Sequence, residues 1–247
     1  MANELYLVSL FGRANYSFNN RFLLTLTMRG DATSRFAPEN RWGLFPAVAA
    51  AVKVIENDNK YFNNIKLRAG WGITGQQDIG SPYIYQARYQ FSLDNARYQI
   101  GDFFINTLRP NGYDRNIKWE ETVTTNLGLD FSIVKGRLSG TLDLYQRNTK
   151  DLLNFIPVPA GTNLTNFIET NIGSMLNRGI ELALSVAPIS TTKVRWDIGA
   201  NIAYNYNEIT KLTATDDPDY KGVFTGGIAG GVGSNIQIHS VGFAPRS

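Results

Sequence analysis

The chain has 247 residues, 43% of them hydrophobic, with one histidine, no cysteine and a formal net charge of +3. Scattered basic residues at so small a net charge argue against nucleic acid as a partner, and the lack of cysteine excludes disulfides and thiolate metal sites. No run of about 18 apolar residues is present to make a transmembrane helix, which leaves open a membrane β-barrel, whose strands carry their hydrophobicity in alternation.

Alternation begins early. Val8, Leu10, Gly12, Ala14, Tyr16 and Phe18 interleave with Ser9, Phe11, Arg13, Asn15 and Ser17. Side chains in a strand point to opposite faces with period two, so this is a strand with one apolar and one wet face. Asn19 and Asn20 supply a tight turn, since Asn tolerates the left-handed region. The return strand places Phe22, Leu24, Leu26 and Met28 on one face and Arg21, Leu23, Thr25, Thr27, Arg29 and Asp31 on the other. A loop over 32–41 follows, with Pro38 as a breaker. The third strand, over 42–55, has Val48, Ala50, Val52 and Val54 on its apolar face. After a polar turn near Asn57, Asp58 and Asn59, the fourth strand, over 65–74, sets Leu67, Ala69, Trp71 and Ile73 against Lys66, Arg68, Gly70 and Gly72.

From 75 to 116 alternation fails, and Gly, Gln, Asn, Asp and Tyr dominate. Loops of this length are functional or disordered more often than structural. This one carries Tyr83, Tyr85, Tyr89, Phe91, Tyr98, Phe103 and Phe104. Aromatic faces on an exposed loop stack on sugar rings or pack against a partner protein; the alternative is that they pack a small core of the loop's own. Alternation resumes with Trp119, Val123, Leu127, Leu129 and Phe131 against Glu120, Thr122, Thr124, Asn126 and Asp130, with Glu121 and Thr125 blurring the apolar side. A short turn at Val134, Lys135 and Gly136 leads to Leu138, Gly140, Leu142 and Leu144 opposite Ser139, Thr141, Asp143, Tyr145 and Arg147. A second long loop is expected over 152–175, with Pro157, Pro159 and Gly161.

The longest hairpin comes next. Ile180, Leu182, Leu184 and Val186 alternate with Glu181, Ala183 and Ser185; after a turn over 187–193, Val194, Trp196, Ile198, Ala200, Ile202, Tyr204 and Tyr206 alternate with polar or small residues. The second arm has the roughly 9–11 residues that a bilayer-crossing strand needs. Tyr204 and Tyr206 sit together at one end, where an aromatic girdle belongs. Beyond Asn207 the chain reads as loop, with Asp216, Asp217 and Asp219 and a glycine-rich run over 226–233.

Short turns fall on one edge of the resulting four hairpins and long connections on the other, as in outer-membrane barrels. A soluble β-sandwich or a small closed eight-stranded barrel also alternates, so a binding module without transport activity is the alternative reading. The small wet-face residues Ser9, Gly70, Gly72, Ala183, Gly199 and Ala203 suit a wide wall better than a filled narrow core.

Chemistry-bearing residues are sparse. His239 is the only possible base for a Ser-His-Asp triad and reads as an ordinary loop or strand residue. Asp216, Asp217 and Asp219 lack the spacing of a calcium loop and read as a solvated acidic turn. The glycine run lacks the strand–helix context of a phosphate loop. Asp130, Asp143 and Glu181 read as hydrogen-bonded wall residues. No catalytic site, metal or cofactor is expected.

Several segments taken together resemble the SusC/RagA family of TonB-dependent outer-membrane transporters. They are Phe11-Gly12-Arg13-Ala14-Asn15-Tyr16, Ser34-Arg35-Phe36, Asn40-Arg41-Trp42-Gly43-Leu44-Phe45-Pro46, Leu67-Arg68-Ala69-Gly70-Trp71-Gly72-Ile73-Thr74-Gly75-Gln76, Lys118-Trp119-Glu120, Thr149-Lys150-Asp151-Leu152-Leu153, Pro159-Ala160-Gly161-Thr162-Asn163, and Asn171-Ile172-Gly173-Ser174-Met175 followed by Asn177-Arg178-Gly179-Ile180-Glu181-Leu182; Ile238-His239-Ser240-Val241-Gly242 is a weaker match. The resemblance implies an all-β, antiparallel transmembrane barrel of about 22 strands with a plugged lumen, of which residues 1–247 would be about eight strands of one barrel domain. It further implies outer-membrane location among lipid, TonB coupling through a plug, a SusD-like surface lipoprotein as lid, and an oligosaccharide or peptide cargo. No plug, TonB box, signal peptide or terminal aromatic strand is found in this sequence, so an internal piece of a longer chain is expected.

Overall fold

The computed structural model describes residues 4–56, 61–78, 82–91, 97–158, 161–213, 220–227 and 235–245. The expected turn at 57–59, the acidic residues Asp216, Asp217 and Asp219, and the glycines at 230–233 lie outside these. No helix among the described residues is long and apolar enough to cross a membrane.

Eight long strands form one antiparallel sheet: β1 (Leu7–Phe18), β2 (Phe22–Thr33), β3 (Trp42–Glu56), β4 (Phe62–Gln76), β9 (Glu120–Ile133), β10 (Leu138–Pro157), β11 (Phe167–Ser190) and β12 (Arg195–Lys211). They pair in the order β1-β2-β3-β4-β9-β10-β11-β12, so each meets the next long strand in sequence, and β1 and β12 are opposite edges. The sheet is therefore an open wall, as the four-hairpin pattern predicts, and neither a closed eight-stranded barrel nor a pair of packed sheets.

The short turns follow from residues that accept positive φ. Asn19 and Asn20 stand at φ of 50° and 52°, and the Arg21 N–H closes the turn on the Phe18 carbonyl at 3.0 Å. The β9–β10 turn uses Val134, Lys135 and Gly136 at 55°, 56° and 77°. Gly is at ease there; Val134 is not.

The register converts the alternation of single strands into rows. Tyr16, Leu24, Ala50, Ala69, Leu127, Leu144, Ile180 and Tyr204 are successive pairing partners across all eight strands. So are Phe18, Phe22, Val52, Leu67, Leu129, Leu142, Leu182 and Ile202. On the opposite face run Asn15, Thr25, Ala49, Gly70, Asn126, Tyr145, Gly179 and Asn205. One face is thus continuously apolar and exposed, the other polar.

The apolar band crosses the rows obliquely. On β1–β3 it climbs toward the long-loop edge as far as the row Val8, Ala32 and Trp42, whereas on β11 and β12 it stops at Ile180 and Tyr204. Trp42 lies eight residues beyond Ala50, the β3 member of the Ile180 row. At about 3.4 Å per residue, the upper edge therefore stands roughly 27 Å higher on β3 than on β11 and β12. The lower edge descends from Phe22 on β2 to Trp196 on β12, more gently. An apolar band level in a bilayer crosses the rows obliquely, in this sense, when the strands are tilted as they are in a barrel.

Three expectations need correction. The loop expected over 152–175 is largely sheet: β10 continues to Pro157 and β11 starts at Phe167, with Phe155 paired to Glu169. Alternation lapses there because the hairpin projects past the apolar band, where neither face is selected for hydrophobicity. A bulge at Asp151, φ 56°, shifts the register and hides the pattern further. The loop over 75–116 holds two small ladders, β5 (Tyr89–Phe91) with β8 (Leu108–Pro110), and β6 (Arg97–Ile100) with β7 (Phe103–Asn106). After β12, β13 (Val223–Gly227) pairs with β14 (Asn235–His239), which places His239 opposite Val223 in a hairpin.

Candidate functional site

The polar face carries a charge ladder. Arg68 on β4 reaches Asp130 on β9 at 2.8 Å and, passing β9, Asp143 on β10 at 2.9 Å; Lys66 approaches Asp130 at 3.4 Å. Gly128 makes the crossing possible, because a Cβ there would lie 2.6 Å from the Arg68 Cζ and 2.7 Å from an Asp143 oxygen. One strand further, Tyr145 spans Gly179 and donates its hydroxyl to Asn205 Oδ1. Of the three carboxylates expected on this face, Asp130 and Asp143 share a guanidinium, while Glu181 lies opposite Asp143 and exposed. Asp130 and Asp143 are thus tied into the wall by ion pairs that cross three strands. Among the described residues no group of three or more His, Cys, Asp or Glu could hold a metal.

At the long-loop edge the sheet gains its deepest core. Phe36, Phe45, Ile117 and Trp119 are buried together, and Ile73, Ile84, Tyr85 and Leu153 pack against them. Trp119 meets Phe36 and Phe45 edge-on, at ring distances of 5.6 and 5.3 Å. The Phe45 ring lies where a Cβ on Gly43 or Gly75 would be, which is why glycine stands at both positions. Trp119, expected on the apolar outer face with Val123 and Leu127, is instead 6% exposed in this cluster. It precedes β9, so strand parity does not govern it.

Three asparagines hold the segment that leads into Trp119. Asn163 exchanges hydrogen bonds with the backbone of Tyr113, donating to its carbonyl at 2.9 Å. Asn40 donates to the carbonyls of Asn116 and Ile117 at 3.1 and 3.3 Å. Asn171 accepts from the Lys118 N–H at 2.8 Å and donates to the carbonyls of Lys118 and Asp151 at 3.0 and 2.7 Å. The Lys118 ammonium pairs with Asp151 at 2.8 Å, and Thr170 donates to Asp114 at 2.6 Å. Most of the dispersed segments that carry the sequence resemblance therefore meet at one junction, where the β2–β3 loop, the base of the long loop and the β10–β11 hairpin are stitched together.

The expected contact residues divide at this junction. Tyr85 packs on the buried cluster, and Tyr83 donates its hydroxyl to the Glu4 carbonyl at 2.8 Å, so both help seat the loop. The other five lie on the arm beyond it, exposed: Tyr89 69%, Phe91 71%, Tyr98 64%, Phe103 77% and Phe104 62%. In the inner ladder Tyr98 pairs with Ile105 and Ile100 with Phe103, while Gln99 pairs with Phe104 and Arg97 with Asn106. One side is thus apolar and the other mixed. The arm closes at its base, where the Asn111 N–H donates to the Arg88 carbonyl at 2.8 Å. Sequence reasoning missed Phe36, Phe45 and Ile117 as a cluster; the only signal was the density of aromatics beside glycine in the segments around them.

Residues 3–236 match the family of TonB dependent receptor-like β-barrels. The chain is 46% identical over 245 residues to TonB-dependent receptor SusC of Bacteroides thetaiotaomicron, covering 98% of this chain and 24% of that protein. It is 35% identical over 219 residues to TonB-dependent receptor P39 of Formosa agariphila, covering 85% of this chain and 20% of that one. Among solved structures it resembles the RagAB peptide transporter, with a TM-score of 0.74 and 27% identity over 85% of this chain and 23% of that one. The chain thus spans about a quarter or less of the length of these curated relatives.

Proposed function

This chain belongs to the family of TonB-dependent receptor β-barrels of the outer membrane, and we propose that it forms part of the wall and mouth of a transporter that imports oligosaccharides or peptides. In this reading residues 1–247 are a portion of one barrel domain. The plug that engages TonB lies elsewhere in the protein, and a SusD-like surface lipoprotein closes the mouth. The similarity to SusC and to the RagAB peptide transporter supports it.

The observation that carries the proposal is the arm. A rigid scaffold that presents a binding loop is the usual division of labour. Here the junction around Trp119 fixes the base, and exposed Tyr89, Phe91, Tyr98, Phe103 and Phe104 project from it. Aromatics with one apolar side and one polar side suit either sugar rings or the apolar core of a protein contact.

The test is to join residue 88 to residue 111 through a short glycine linker in the full-length protein, since these ends already meet. Loop shortening changes closure entropy only slowly, so the barrel should still assemble, read as heat-modifiable mobility of folded protein. Uptake of cargo or co-purification of the lid should fall several-fold. Uptake and lid binding both equal to wild type would reject the arm as a contact surface.

A further inference from the structure

On the outer face above the apolar band, three cations stand outside ion-pair distance of any carboxylate among the described residues. Thr125, Gln146, Arg178 and Tyr206 form the first polar row beyond Leu127, Leu144, Ile180 and Tyr204. These eight residues line one recess, with the Arg178 guanidinium 4.8 Å above the Tyr206 ring. Next to it, toward the long-loop edge, a second recess is lined in part by Asn148, Lys150, Ser174 and Lys211. Among the described residues no carboxylate is in ion-pair distance of Arg178, Lys150 or Lys211, whereas Lys66, Arg68, Lys118 and Arg35 are each paired with one. Three acids lie nearby: Glu121, the pairing partner of Lys150 across β9 and β10; Asp151, which also lines the second recess and is held by Lys118 at 2.8 Å; and Glu208, which accepts the Tyr206 hydroxyl at 3.2 Å and so holds the ring beneath Arg178.

Below the row, the apolar face is indented. Ala50 and Ala69 sit between Leu24 and Leu127, and with Leu67, Leu129 and Leu144 they line a groove. Leu127 and Leu144 belong to both the groove and the recess of Arg178. An apolar channel therefore runs without a break into a cationic recess at the upper limit of the band.

We propose that this surface holds an anionic lipid of the outer leaflet, with an acyl chain over Ala50 and Ala69 and a phosphorylated headgroup at Arg178, and with Lys150 and Lys211 reaching the outer part of the headgroup. The shape fits a ligand that is apolar at one end and anionic at the other. Arg is suited to the anionic end because its planar fork meets phosphate oxygens in pairs. Stacking on Tyr206 preorganises it, so less side-chain freedom is lost on binding. The proposal rests on the assigned facing of the wall and is independent of cargo, lid or TonB.

The experiment uses full-length protein in mixed micelles titrated with lipid A, with bound lipid counted by native mass spectrometry. Arg178→Gln removes a charge-assisted contact and should weaken lipid A binding about tenfold. Arg178→Lys should fall between it and wild type. Ala50→Leu, which fills the groove and leaves every charge in place, should also weaken lipid A binding, and this variant decides the matter should Arg178→Gln lose folded mobility. Arg147→Gln, a cation on the opposite face, should bind as wild type does. Unchanged lipid A binding in Arg178→Gln or Ala50→Leu would overturn the proposal. So would equal competition by inorganic phosphate alone, which would mean an anion site without a lipid chain.

Discussion

Asn171 grips both backbone polar groups of Lys118, accepting its N–H at 2.8 Å and donating to its carbonyl at 3.0 Å. A side-chain amide here does the work of a neighbouring strand, and so lets the base of the long loop join the sheet edge without being part of a ladder. Asn171→Ala should leave these groups unpaired, at about 1–3 kcal/mol of local stability. Trp119→Ala, which empties the cluster beside them, should cost about 3–5 kcal/mol. Limited proteolysis of the full-length protein should cut between 77 and 118 faster in both variants, and faster in Trp119→Ala. Wild-type cleavage rates in Trp119→Ala would mean that the junction does not hold the arm.

Leu184 and Ser185 are adjacent on β11 and face opposite ways, Leu184 in a row with Phe131 and Gly140, Ser185 with Ser132 and Ser139. In a bilayer, Leu184→Arg should cost about 2–4 kcal/mol near mid-depth, whereas an arginine on the lumen side is solvated. Ser185→Arg should therefore be nearly neutral. Denaturant unfolding of both variants in lipid vesicles measures the difference; equal losses would reverse or abolish the assigned facing.

Alternation sufficed to place β1 to β4, β9 and most of β12, because there a single physical demand, one apolar and one wet face, acts on every second residue. Where that demand stops, legibility stops with it. Phe155 and Glu169 pair in a ladder that extends beyond the apolar band, and nothing in their local pattern distinguishes strand from loop. The charge ladder was half visible: Asp130 and Asp143 could be placed on the wet face, but only the register brings Arg68 between them across Gly128. The Trp119 cluster was least visible, since its four members come from three separate segments and none follows a period.

Val134 is a β-branched residue at φ 55° in the β9–β10 turn, about half exposed, with its N–H held by the Tyr61 carbonyl at 2.9 Å. Left-handed backbone costs an ordinary L-residue roughly 1–2 kcal/mol, and Asn or Gly much less. Val134→Asn should therefore stabilise the hairpin by about 1 kcal/mol, with Val134→Gly gaining less because glycine also loosens the unfolded chain. The midpoint of denaturant unfolding should rise in Val134→Asn. A fall would mean that the exposed valine makes a contact worth more than the strain.

Gly179 is the floor beneath a bridge. Tyr145 on β10 crosses it to reach Asn205 on β12, and a Cβ at 179 would lie 2.7 Å from the tyrosine oxygen and 2.6 Å from Asn205 Oδ1. Gly179→Ala should push the bridge off the wall and lose the hydrogen bond, costing about 1–3 kcal/mol as overpacking does. Tyr145→Ala should cost a comparable amount by removing the ring and stranding Asn205. Because both substitutions break the same contact, the double variant should cost clearly less than the two single losses together, as coupled neighbours do. With the ring gone, alanine at 179 meets open space and its better strand fit can show. Gly179→Ala paired instead with Asn15→Ala, distant on β1, should be additive and serves as the reference cycle. Additivity in the Tyr145 cycle would show that Gly179 is kept for some reason other than room for the bridge.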